Sequence, residues 1–344
     1  MKLMALRESG VVMKSSNASA SEFGWDFQSN AAIVLMMKNI KTASNVKVEG
    51  LTEDIEITLD NGKRLFSQAK SVFDPEDTTH VLTKLQDGLK TLNVAARETG
   101  VERLIYVTNS PNPFNNPKTM YAFCGGVTIL DYASLPNDCQ TRIEKHCTQK
   151  GYMIDFELLS VCVIQFNGDD ENRYRIIKDL TNEFLHNLGV GNLGLGAEIL
   201  AIWQRWFREN ASQHNMIATI SKKQMIWPLI VSVCDISSED ALLADCDDAD
   251  FNEISHRYNA VISNNAERFE FITKVMSSYG EFKTELKSRE RTKSFIDACW
   301  KQFENEYGLF CAEDSLRETV IKLTISKVIK SRYAIDSIKK GVNL

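Results

Sequence analysis

EDIEITLDNGKRLFSQAKS (residues 53–71) holds two alternating apolar–polar runs on either side of Asp60-Asn61-Gly62. Alternation with period two is the signature of a half-buried strand, and an Asp-Asn-Gly break is a strong hairpin signal. The second run ends in FSQAKS, where Gln68 and Lys70 are two residues apart and so share a face. What they face depends on the loop. With a two-residue Asn61-Gly62 loop, Asp54 lies on the face of Ala69. With a three-residue loop, Gly62 takes the left-handed position and Asp54 falls directly across from Gln68, on the face of Lys70. Both registers are open to the sequence.

Outward from the hairpin, SEFGWDFQSNAAIVLMMKNIKTAS (21–44) reads as a helix with an apolar centre and NVKVEGLT (45–52) as a short strand. Leu and Val at helical spacing mark a helix within 76–99, and ERLIYVTNSP (102–111) is an apolar strand. The order helix, strand, hairpin, helix, strand predicts an α/β (α+β) fold, a mixed sheet flanked by helices. Further on, FELLSVCVIQF (156–166) reads as strand, while 171–188 and 197–212 read as helices. QMIWPLIVSV (224–233) is apolar and broken by Pro228. The expected organisation is a lead-in over 1–20, a sheet domain with helical extension over 21–235, an acidic linker over 236–254 and a helical docking or oligomerisation region over 255–344.

At 43% hydrophobic and 25% charged residues, the composition is that of a globular protein, and no stretch is apolar enough to span a membrane. The first residues lack the apolar core of a secretory signal, so a cytosolic location is expected. A net charge of −6 gives no general case for nucleic-acid binding, although a local patch or a metal ion can supply positive charge. Cys139, His146 and Cys147 match no familiar zinc spacing. GVGNLG (189–194) fits a dinucleotide fingerprint in letters only, because a helix rather than a strand precedes it.

In the three-residue register, Asp54, Gln68 and Lys70 converge, and Glu49 adds a second carboxylate from the preceding strand. That group suits metal-dependent phosphodiester hydrolysis. Asp54, the Gln68 carboxamide oxygen, the Ala69 carbonyl and Glu49 would hold Mg2+ or Mn2+, and Lys70 would orient water and stabilise charge on the phosphate. The plainer alternative is a hairpin with a cross-strand ion pair, which contributes well under ~1 kcal/mol.

GWDFQ (24–28), VEG with EDIEI (48–57), FSQAKS (66–71) and ERLIYVTNS (102–110), in that order, resemble the PD-(D/E)xK nuclease superfamily in its variant with Gln at the second acidic position. The resemblance is greatest to the effector endonucleases of bacterial anti-phage and anti-plasmid systems of the CBASS and Lamassu types. It spans about residues 20–235 and is strongest over the first 110 or so. It implies a restriction-endonuclease-like fold and magnesium-dependent cutting of double-stranded DNA. Asp54, Gln68 and Lys70 would form the active site, with Glu49 and Gln28 in support. Residues 236–344 do not look like the cyclic-oligonucleotide sensor of the CBASS type. That favours the Lamassu type, in which an SMC-like ATPase and an accessory subunit hold the nuclease, with activation on release or oligomerisation. The rival readings are a catalytically inactive scaffold of the same superfamily, and an adaptor working through its C-terminal helices.

Overall fold

The computed structural model describes all residues except 1–15, 51, 76, 169, 192–193, 214–217, 236–247, 264–267 and 305–313. The elements run α1 (Ser16–Asn39), β1 (Ala43–Val48), β2 (Ile55–Leu59), β3 (Arg64–Lys70), α2 (Val81–Ala95), β4 (Val101–Thr108), β5 (Val127–Asp131), α3 (Asn137–Lys150) and β6 (Leu159–Ile164). There follow α4 (Asp170–Arg173), α5 (Arg175–Asn187), α6 (Gly196–Ser212), β7 (Ile220–Ser221), α7 (Lys222–Val233), α8 (Asp248–Ser263), α9 (Arg268–Glu281), α10 (Ser288–Cys299), α11 (Asp314–Lys330) and α12 (Arg332–Val342). The strands form a mixed sheet in the order β5-β6-β4-β3-β2-β1-β7. The fold is therefore the expected mixed α/β sheet flanked by helices and followed by a helical region.

Two compact units divide the chain. One comprises residues up to Ala32 with Val48–Glu56 and Arg64–Ile176; the other comprises Ile33–Lys47, Ile57–Lys63 and Ile177–Leu344.

In the first unit β3 pairs parallel with β4, placing Gln68 beside Tyr106 and Lys70 beside Thr108. β4 pairs parallel with β6, and β5 closes that edge antiparallel to β6. Parallel strands need a crossover that covers the sheet. α2 supplies one, burying Leu85, Leu89 and Leu92 against Phe66, Leu104 and Tyr106. Gly88 lets this helix lie close, since a Cβ there would come 2.5 Å from the Tyr106 ring. Cys139 and Cys147 belong to the same core, with Ile143 of α3.

In the second unit β1 pairs antiparallel with β7. The hairpin turn lies here, and it is the three-residue form: Leu59 N–H donates to the Lys63 carbonyl at 2.8 Å, and Gly62 has φ +81°. Asp60 in that turn accepts from the buried Lys222 Nζ at 3.1 Å. α7 runs unbroken through Pro228. Its start is held by a capping box of Ser221 and Gln224, and Met225, Ile226, Trp227, Leu229 and Ile230 are all buried. That burial outweighs the ~3 kcal/mol a helix-interior proline costs. Gly189 ends α5 in a Schellman arrangement, with Val190 N–H on the Leu185 carbonyl and Gly189 N–H on that of His186. The GVGNLG glycine therefore caps a helix. α11 packs against α8, α9 and α10, burying Val320, Ile321, Ile325 and Val328.

α1 begins at Ser16, inside the expected lead-in, and the expected linker is helical from Asp248. Residues 1–15 and 236–247 lie outside the described residues. Among the described residues no helix is long and apolar enough to cross a membrane.

Candidate active site

β2 and β3 owe their pairing to local sequence. Ile55, Ile57 and Leu59 are buried at alternate positions of β2, and the odd-length turn sets the register of the hairpin. The consequence appears at the open end of the hairpin. Asp54, one residue before β2, lies across from Gln68, and the Gln68 carboxamide Nε2 donates to Asp54 Oδ2. The same oxygen accepts the Ala69 backbone N–H at 3.0 Å. In an extended strand the N–H and C=O of one residue point toward the same neighbour, so the Ala69 carbonyl is directed to this side as well. Gln68 is buried, while Lys70 at the strand end is half-buried.

The backbone of Asp54 is fixed from two sides. Gln28 of α1, itself buried, donates its Nε2 to the Asp54 carbonyl at 3.1 Å. Glu49 donates its backbone N–H to that carbonyl at 2.8 Å. Glu49 occupies the left-handed region at φ +55°, and its side chain is exposed. It stands at the rim of the site, and its charge reaches Asp54.

Burial pushes the Asp54 carboxyl up to about 6, opposed by the Lys70 ammonium and by the Ala69 N–H. A carboxylate held this way is short of positive charge.

The sequence does not mark three residues that the structure brings to the site. Glu53 is buried, and among the described residues neither of its carboxylate oxygens has a hydrogen-bond partner. Burial, and next the charge of Asp54, push it up to about 8, with Lys70 opposing. The Glu53-Asp54 doublet was its only signal; strand alternation sets neighbours on opposite faces, and nothing in the letters says that both are covered. Asn109, at the end of β4, donates Nδ2 to the carbonyls of Val72 (2.8 Å) and Phe166 (3.0 Å) and accepts from Val72 N–H at 2.7 Å. In sequence it reads as a strand terminator. Lys84 of α2 donates Nζ to the Ser71 carbonyl just beyond Lys70.

The fit of this site to a divalent cation rests on its donors. Among the described residues no three His, Cys, Asp or Glu side chains are grouped as metal ligands. The donor set is instead one carboxylate, one carboxamide and a main-chain carbonyl, with Glu49 at the rim and the unpartnered Glu53 carboxyl beside it. These are all hard oxygen donors, as magnesium prefers. No family model, curated protein or solved structure matches the chain.

Proposed function

We propose that the chain is a metal-dependent endonuclease of double-stranded DNA, the effector subunit of a bacterial anti-phage or anti-plasmid defence complex. The observation that carries this reading is the convergence of Asp54, Gln68, Ala69 and Lys70 at the open end of the β2–β3 hairpin. It supports the ordered D…QxK resemblance by bringing these residues to one end of the hairpin.

Asp54, the Gln68 carboxamide oxygen and the Ala69 carbonyl would hold a magnesium ion, with Glu49 at the edge. Such an ion supplies Lewis-acid charge at the scissile phosphate and a more acidic attacking water. Lys70 is the residue placed to act on the reacting atoms. Its ammonium hydrogen-bonds the attacking water and a non-bridging phosphate oxygen, and stabilises the negative charge that grows in the transition state. Gln28 and Asn109 act through the backbone, one on Asp54 and the other on the chain just past Lys70.

The net charge of −6 would make the free chain a weak binder of duplex at physiological salt. Control by partners, an SMC-like ATPase and an accessory subunit, or by self-association, follows from the same resemblance. The test is cleavage of linear duplex with magnesium by the chain assembled with the proteins encoded beside it, compared with Lys70→Ala and Lys70→Arg. Loss of at least about a hundredfold in the Ala variant is expected for removal of a transition-state charge. Arg is not expected to restore it, because a planar guanidinium does not replace a compact ammonium. Equal cutting by wild type and Lys70→Ala would sink the assignment.

A further inference from the structure

The β3 face that carries Gln68 and Lys70 looks toward α2, and there the sheet and helix leave a cleft of about 640 Å³. Lys70 marks one end. The rest is a single stripe of α2 with its N-cap: His80, Lys84, Asp87, Lys90 and Thr91 recur at helical spacing and line the cleft. From His80 to Val94, which also lines it, the stripe runs about 21 Å at the helical rise per residue. That length matches about six base pairs of duplex at 3.4 Å each.

The charge in the cleft is lopsided. Lys84 and Lys90, with Lys70 at one end, line it beside a single carboxylate, Asp87, while the Lys70 charge also reaches the Asp54 and Glu53 carboxyls of the neighbouring cluster. Among the described residues none of the three lysines lies within ion-pair distance of a carboxylate. Lys84 is held in place by its bond to the Ser71 carbonyl. Burial and then the nearby Lys70 charge lower its pKa, while Asp87 raises it. Two ammonium groups thus crowd each other at the mouth of the catalytic cluster, and an anion between them would turn that repulsion into attraction. The neutral lining, Thr83, Thr91 and the exposed Val94, offers hydroxyls and no large flat apolar surface. That chemistry suits a sugar–phosphate chain better than a base or a protein helix.

We propose that this cleft is a phosphate-binding groove for the DNA backbone flanking the cut, with Lys84 and Lys90 as its contacts. The inference rests on the nuclease reading for its ligand, and it assigns to α2 a binding role that lies outside the catalytic cluster. Contacts of this kind carry no base information, so the groove confers register on the duplex and no sequence preference.

The test is binding of a fluorescent duplex of arbitrary sequence to the full chain without divalent ions, titrated across ~50–200 mM salt, where counterion release is read as a slope. Lys90→Glu is compared with Lys150→Glu, an exposed position at the end of α3. Lys90→Glu is expected to weaken binding about tenfold or more at the low-salt end, and Lys90→Ala to reduce the log–log slope by about one. Lys150→Glu is expected to change both far less. Equal effects of the two Glu variants, or no binding by wild type at low salt, would overturn the groove. Cleavage is scored separately with magnesium. Cutting by wild type with binding unmoved by Lys90→Glu removes the groove and leaves the nuclease standing. Binding that depends on Lys90, with no Lys70-dependent cutting in the assembled complex, does the reverse.

Discussion

Gln68 faces Asp54 across the β2–β3 hairpin and gives its carboxamide N–H to the Asp54 carboxylate. The relationship has a cost, because that carboxylate is held in a largely buried place where its pKa rises to about 6. Asp54→Asn separates structure from function here. The amide retains an acceptor for Gln68 and Ala69 and removes the buried charge. The variant is expected to melt at the same temperature as wild type or higher at pH 8, while cleavage falls at least about a hundredfold, more than outer-shell changes around metal ligands usually cost. A melting temperature well below wild type would mark Asp54 as a structural residue.

The Glu53–Asp54 doublet predicts an unusual pH profile for the metal-free protein. Glu53 is raised from 4.5 to about 8 and Asp54 from 3.8 to about 6, in both cases chiefly by burial. Between about pH 4 and 8 the folded chain therefore keeps protons that the unfolded chain has released. Stability contributed by these groups is full at the acid end and is lost as pH rises through the window. The melting temperature without divalent ions is expected to fall from pH 5 to pH 8. Glu53→Gln should flatten that slope, and millimolar magnesium at pH 8 should raise the melting temperature by binding the native state alone. A metal-free melting curve that is flat or rising over this range is the contrary result.

How far the sequence foretells this molecule depends on how local each signal is. The hairpin is legible because turn chemistry and strand alternation lie within one short stretch, but its register is not: the sequence leaves both loop lengths open, and the left-handed Gly62 and the Leu59–Lys63 backbone bond decide it in the structure. β5 and α3 are not. α3 buries only Cys139, Ile143 and Cys147, and cysteines spaced at helical intervals give a weak apolar stripe. β7 has two residues, too few for any pattern. Pro228 sits inside a helix because packing on several sides outweighs its local preference. At the site, residue types and spacing mark Asp54, Gln68 and Lys70. The burial of Glu53, the reach of Asn109 and the lysine stripe of α2 depend on elements distant in sequence.

Gly88 sets how closely α2 approaches β4, and with it the width of the cleft beside Lys70. A Cβ at this position would stand 2.5 Å from the ring of Tyr106, which is fully buried and has no room to withdraw. Gly88→Ala would gain about 1 kcal/mol in helix propensity and lose about 1–3 kcal/mol to overpacking. The net expectation is a loss of stability, measurable by urea denaturation as a lower midpoint. An unchanged or higher midpoint would show that the helix shifts freely on the sheet.

Asn109 fastens the end of β3 from the far end of β4. Its carbonyl oxygen accepts Val72 N–H, and its amide donates to the Val72 and Phe166 carbonyls and to Asn167 Oδ1. Val72 follows Lys70 by two residues, so this clamp fixes where the ammonium group can stand. Asn109→Ala leaves several buried backbone groups unpaired, and each costs about 1–3 kcal/mol when water cannot reach it. An overall loss of about 3 kcal/mol or more is expected. Asn109→Asp retains the acceptor for Val72 N–H and loses both amide hydrogens, placing a carboxylate against two carbonyls. It should be no better tolerated than Ala. The informative comparison is between stability and cutting. At a temperature where Asn109→Ala remains folded, cleavage by the assembled complex should still be reduced at least tenfold, because chemistry at the phosphate is sensitive to displacements of about 1 Å. Full cleavage by the folded variant would show that β3 holds Lys70 in place without the clamp.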